Sequence, residues 1–343
     1  MKELLLLVRS ALENRPLCGP DFDRLGQWSP AVWDRMLEQA KVQSVLGLVY
    51  QAVSLLPAGA PVPDDVIFKL IAEGEAISSS SRTMDSAARA CVERMRSHGL
   101  HPRVMKGAET ARFYPRPLLR GYGDIDLYIP EKEVGEAASW ARGSGYSVHR
   151  DADGSLHFDF EGIDVDVHPR YYDLFRSRVL LPEPFSPEGT LLMLSAHALK
   201  HAVGAGIGLR QLCDVGAALR SLDGRYDPAA YLDACRSAGI LRWTRLLHRF
   251  LEVYLGVPDR LFPENRISPE PLLELIREGG NFGHYAHSRE TVVLGDSSLR
   301  RKLDTALRFV RRIPFSFRYA PRTALARIWE LFRGNLRQGM GRP

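Results

Sequence analysis

The stretch RGYGDIDLYIP places two carboxylates, Asp124 and Asp126, either side of Ile125. In an extended strand side chains alternate faces and each residue rises about 3.3 Å, so both acids project from one side while Ile125 and Leu127 turn toward a core. Two carboxylates held that close repel unless a cation lies between them. A hard divalent ion answers the need, because Mg²⁺ takes one or two carboxylates together with substrate phosphate oxygens. The pair therefore points to Mg²⁺ or Mn²⁺ and a phosphorylated ligand.

A second alternating segment, Asp164-Val165-Asp166-Val167-His168, carries Asp164, Asp166 and His168 on one face. If it pairs beside residues 125–129, about 4.8 Å away, one of its acids completes a three-carboxylate cluster able to hold two metals about 3.5 to 4 Å apart. Asp166 is the expected third acid and Asp164 the reserve. Upstream, Lys106-Gly107 ends one expected strand and opens a helix, a location where backbone N–H groups favour phosphate. Gly107 permits close approach, and Lys106 and Arg120 are natural counter-charges for a triphosphate or its leaving pyrophosphate.

The elements that must position these residues follow from apolar spacing. Residues 1–98 read as helical, with Val32, Met36, Ala40, Val45, Leu46 and Val49 recurring at mostly three- and four-residue intervals. From 100 to 170 the spacing shortens, predicting strands at 102–105, 125–129, 146–149, 156–160 and 163–167 with helices at 108–113 and 132–144. Asp153-Gly154 and Glu161-Gly162 read as hairpin turns. Helices return at 190–203, 208–222, 228–238 and 241–255. The expected fold class is α+β: a small mixed sheet at 100–186, a helical region at 1–99, a second at 187–298 and a basic helical tail at 299–343.

MKGAETARFYPRPLLRGYGDIDLYIP followed by GIDVDVHPRYY resembles the uncharacterised bacterial nucleotidyltransferase-like family of the DNA polymerase β-type superfamily. The resemblance covers about residues 100–220 through Lys106-Gly107, Tyr114-Pro115, Arg120, Asp124/Asp126 and Asp166/His168. It extends into the helical segment holding His197, Lys200, His201, Arg210 and Asp214. It implies a metal site at Asp124, Asp126 and Asp166, and nucleotide contacts from Lys106, Gly107, Arg120, His168, Lys200 and His201. The implied reaction moves an NMP from an NTP to an acceptor such as a sugar, peptide or small molecule. The alternatives are a nucleotide-binding scaffold without catalysis, and a phosphotransferase using the same metal site. The sequence departs from better-known superfamily members in carrying Lys-Gly where they have Gly-Ser.

Composition is compatible with this reading and narrows the rest. With 45% apolar and 25% charged residues, the 343-residue chain can bury a sizeable core. Four scattered cysteines lack metal-ligand spacing, and the apolar run Leu4 to Val8 is too short for a leader or membrane span, so a cytoplasmic protein without a transmembrane segment is expected. His197-Ala-Leu-Lys-His201 has the two-histidine spacing of a zinc protease without its glutamate. The net charge of +5 is uneven: residues 300–343 hold twelve Lys/Arg against Asp304 and Glu330, a block suited to an anionic partner or membrane surface.

Overall fold

The α5 helix (Asp64–Ser97) runs 34 residues, with Asp64 and Asp65 in its first turn and Arg94 and Arg96 in its last, each sign matching the helix dipole. Four helices precede it: α1 (Lys2–Glu13), α2 (Pro20–Leu25), α3 (Pro30–Val42) and α4 (Leu46–Ser54). A computed structural model of the chain describes residues 1–151, 153–172, 174, 181–204, 206–279 and 312–325. Most of the basic block at 300–343 lies outside these residues; 312–319 and 321–325 within it are helical.

Five strands follow in one sheet: β1 (Arg103–Val104), β2 (Ile125–Tyr128), β3 (His149–Arg150), β4 (Leu156–Phe160) and β5 (Ile163–His168), in the order β1-β2-β5-β4-β3. β2 and β5 are parallel and the other pairs antiparallel. The chain is thus α+β with a mixed sheet, as its sequence leads one to expect. The β4–β5 connection is the two-residue turn Glu161-Gly162, with φ of 57° and 86°, the doubly positive geometry that matches strand twist in a tight hairpin.

One face of the sheet is apolar. Ile125, Leu127, Leu156, Phe158, Val165 and Val167 pack with Met84, Ala88, Cys91, Val92 and Met95 of α5. The same core takes in Val134, Ala137, Ala138, Trp140 and Ala141 of α7 (Val134–Gly143), which follows the short α6 (Ala108–Ala111). The three- and four-residue spacing of the α5 set makes a single stripe, so the long helix lines the sheet's core together with α7. The chain divides into two compact units, and for this reason the N-terminal helices and the sheet share the first of them: Met1–Tyr171 with Gly216–Asp223.

The second unit, Tyr172–Val215 with the residues from Gly224 on, is helical: α8 (Pro187–Val203), α10 (Pro228–Ser237), α11 (Leu241–Leu255) and α12 (Glu270–Gly279). The α9 helix (Leu209–Ser221) begins in this unit and ends in the first. Ser186 caps α8 by accepting from Gly189 N–H, and Asp227 caps α10 through Ala229 N–H. No described helix is long and apolar enough to cross a membrane.

Candidate metal and phosphate site

The face of the sheet opposite the core carries a row of side chains that runs across four strands. Strand register sets Asp126 of β2 beside Asp166 of β5, Asp166 beside His157 of β4, and His157 beside His149 of β3. Because alternation sends Ile125 and Leu127 into the core, Asp126 is forced onto the other face together with its cross-strand partners. A parallel row pairs Tyr128 with His168.

Asp126 is the centre of the arrangement. Its Oδ1 accepts from Lys106 Nζ at 3.0 Å and lies 2.8 Å from His168 Nε2. The Lys106 and Asp126 side chains are only 10% and 11% exposed, which makes this a buried ion pair. His168 Nδ1 lies 3.4 Å from the Ser155 hydroxyl. Asp126, Asp166 and His168 each offer a ligand atom, and these atoms all lie within 4.8 Å of one another. Two carboxylates and an imidazole that converge in this way are a donor set able to hold a divalent cation.

Asp166 is held from its other side. His157 Nδ1 lies 2.5 Å from Asp166 Oδ1, and His157 Nε2 lies 3.0 Å from Asp151 Oδ2. Asp151 Oδ1 is in turn 3.1 Å from His149 Nε2. Both His157 nitrogens face carboxylates, an environment that favours the doubly donating imidazolium. Burial alone lowers the pKa of His157, but the hydrogen bonds and charges of Asp166 and Asp151 together outweigh it and hold the group above its ordinary 6.5. The linkage sign follows: this histidine's contribution to stability is complete below 6.5 and is lost as pH rises through its elevated folded-state value. An NMR titration is expected to find His157 titrating above 6.5, and Asp166→Asn to move it downward.

The Lys106-Gly107 step is shaped by its surroundings. Met105 N–H donates to the Asp126 carbonyl at 3.0 Å, which ties the end of β1 to β2. Gly107 has φ of +56°, and a Cβ there would come within 3.0 Å of the Tyr122 ring. Tyr122 donates its hydroxyl to Asp85 of α5, so the helix braces the ring that braces the loop. The α6 helix beyond Gly107 is a single turn of four residues, which leaves little helix dipole at this step. Lys106 itself, paired with Asp126, carries the positive charge at this step. Arg120 is buried at the end of the 3-10 turn Pro117–Leu119. That turn lies so close to α4 that a Cβ on Gly47 would sit 2.1 Å from the Leu119 carbonyl oxygen.

The other expected residues fall on several elements. Asp124 is exposed and precedes the first paired residue of β2, outside the convergent group of Asp126, Asp166 and His168. Asp164 is also exposed and stands opposite Asp159. Lys200 and His201 belong to α8 of the second unit, where His201 Nε2 lies 3.2 Å from His197 Nε2. His168, expected to contact nucleotide, belongs to the group able to hold a metal. His157, Asp151 and Ser155 were not singled out by motif, although the Glu161-Gly162 turn contains the signal: counting back from it pairs His157 with Asp166.

A profile of the family described as uncharacterised nucleotidyltransferase matches residues 29–256, more than half of the chain. Neither the curated proteins nor the solved structures include a match.

Proposed function

The chain belongs to this uncharacterised nucleotidyltransferase family, and from that premise we propose that it moves an NMP from an NTP to an acceptor at the Asp126–Asp166–His168 site. The observation that supports this most is the register placing Asp126 directly beside Asp166 on the polar face of the sheet, with His168 converging on both. A bound Mn²⁺ or Mg²⁺ would join nucleotide phosphate oxygens to the protein and offset charge gathering at the α-phosphorus.

The chain's own residues carry the rest of the proposal. Asp126, Asp166 and His168 would hold the cation, with Asp124, just before the strand, as a further carboxylate for it. Lys106 and Arg120 stabilise the departing pyrophosphate. Gly107 lets phosphate approach the backbone. Asp166 also accepts the proton of the attacking acceptor hydroxyl or phosphate. The acceptor is a sugar, a peptide or another small molecule, and the basic block at 300–343 recruits an anionic partner or surface.

Product analysis separates this reading from its neighbours. Incubation with each NTP and a panel of hydroxyl- and phosphate-bearing acceptors is expected to release pyrophosphate in step with acceptor modification. Release of the nucleoside diphosphate would instead identify a phosphotransferase on the same site. Binding of NTP without either product would mark a nucleotide-binding scaffold.

A further inference from the structure

We propose that His157 is the positioning residue of the site: it fixes the Asp166 carboxylate in the orientation that serves the cation, and Asp151 fixes His157. The inference rests on the metal-site reading above.

The geometry that carries it is a continuous chain of side chains outside the convergent group itself. His157 is the direct cross-strand neighbour of Asp166 and binds one of its two oxygens at 2.5 Å. A carboxylate on a strand turns about χ2, so an anchor on one oxygen decides where the other points. The second His157 nitrogen is taken by Asp151 at 3.0 Å, which sets the plane of the ring. Asp151 is not free to drift, because its N–H donates to the Ser155 carbonyl at 2.9 Å and its own carbonyl accepts from Gly154 N–H at 3.0 Å. The turn between β3 and β4 therefore sets Asp151, Asp151 sets His157, and His157 sets Asp166.

A purely structural role accounts for this poorly. The sheet draws its cohesion from the opposite face, where Leu127, Val167 and Leu156 are fully buried. The His157 and Asp166 side chains are 33% and 28% exposed, so their pairing adds little burial. It does, however, leave Asp166 oriented beside Asp126 before any ligand arrives, and carboxylates that ligate metals are commonly held by such outer partners.

The test is Mn²⁺ binding to the nucleotide-free full-length chain, followed by electron paramagnetic resonance, with melting curves as the fold control. His157→Ala is expected to weaken Mn²⁺ binding about 10- to 100-fold. His157→Asn, whose amide N–H stands near the place of Nδ1, is expected to stay within a few-fold of wild type, while His157→Gln, which carries its donor farther out, behaves like the alanine variant. In turnover assays the loss is expected in kcat and in the Mn²⁺ requirement, with KM for nucleotide little changed. Mn²⁺ affinity equal to wild type in folded His157→Ala overturns the inference. If that variant does not fold, equal affinities of the Asn and Gln variants overturn it. Asp126→Asn keeps the two levels apart: normal Mn²⁺ binding there overturns the metal site itself, whereas lost binding there with normal binding in His157→Ala overturns only the role of His157.

Discussion

Asp126→Asn is expected to lower turnover by more than about a hundred-fold, beyond what loss of an outer partner of a metal site costs. The carboxylate it removes is the one on which the cluster converges, in contact with Lys106 at 3.0 Å and His168 at 2.8 Å. Asparagine keeps the size and one acceptor oxygen, so Lys106 retains a partner and the sheet its register. The stability cost is expected to be about 1 to 3 kcal/mol, that of weakening a hydrogen bond to a charged group. Steady-state kinetics and melting curves on one preparation check both halves. An Asp126→Asn protein that turns over normally and still responds to added metal would remove Asp126 from the site.

Lys106→Met is expected to make the fold depend on metal. Lys106 and Asp126 form a buried pair, and removing one member of such a pair strands the other's charge at a cost of about 3 kcal/mol or more. With Asp166 beside it in the next strand, Asp126 then has greater need of a cation. In EDTA the variant should melt well below wild type; Mn²⁺ should recover much of the difference, because an ion that binds only the folded state stabilises it by mass action. Turnover should fall about a hundred-fold even with saturating metal, since the charge proposed to meet the leaving pyrophosphate is gone. A variant as stable in EDTA as wild type would mean that the ion pair does not carry the weight its burial suggests.

Much of this frame is legible in the sequence. The alternation in DIDLYI assigns Ile125 and Leu127 to the core, and both are buried there at 2% and 0% exposure. The helix predicted at 241–255 is α11, and the strand predicted at 156–160 is β4. Glu161-Gly162 forms the tight turn its residue types suggest, and that turn alone fixes the register from Phe160–Ile163 back to His157–Asp166.

What resists reading is non-local. The parallel neighbourhood of β2 and β5 spans the whole of α7, β3 and β4, and no local pattern states that Asp126 faces Asp166 rather than Asp164. The strand expected at 146–149 shrinks to His149–Arg150 because Tyr146 and Val148 pack onto the core as the chain leaves α7, Tyr146 stacking 5.5 Å from Phe158, before the backbone reaches the sheet edge. Lys106 reads as a phosphate contact by motif, and its buried bond to Asp126 depends on β1 folding beside β2. His168 likewise becomes a candidate ligand only through the strand pairing that brings it to Asp126.

The most direct test of the central claim is calorimetric titration of ATP, GTP, CTP and UTP into wild type and Asp126→Asn, each with Mn²⁺, with Mg²⁺ and with EDTA. The account predicts that at least one nucleotide binds wild type only when metal is present and that this binding disappears in the variant. Nucleotide binding that survives both EDTA and Asp126→Asn, or no binding to wild type under any condition, would contradict it.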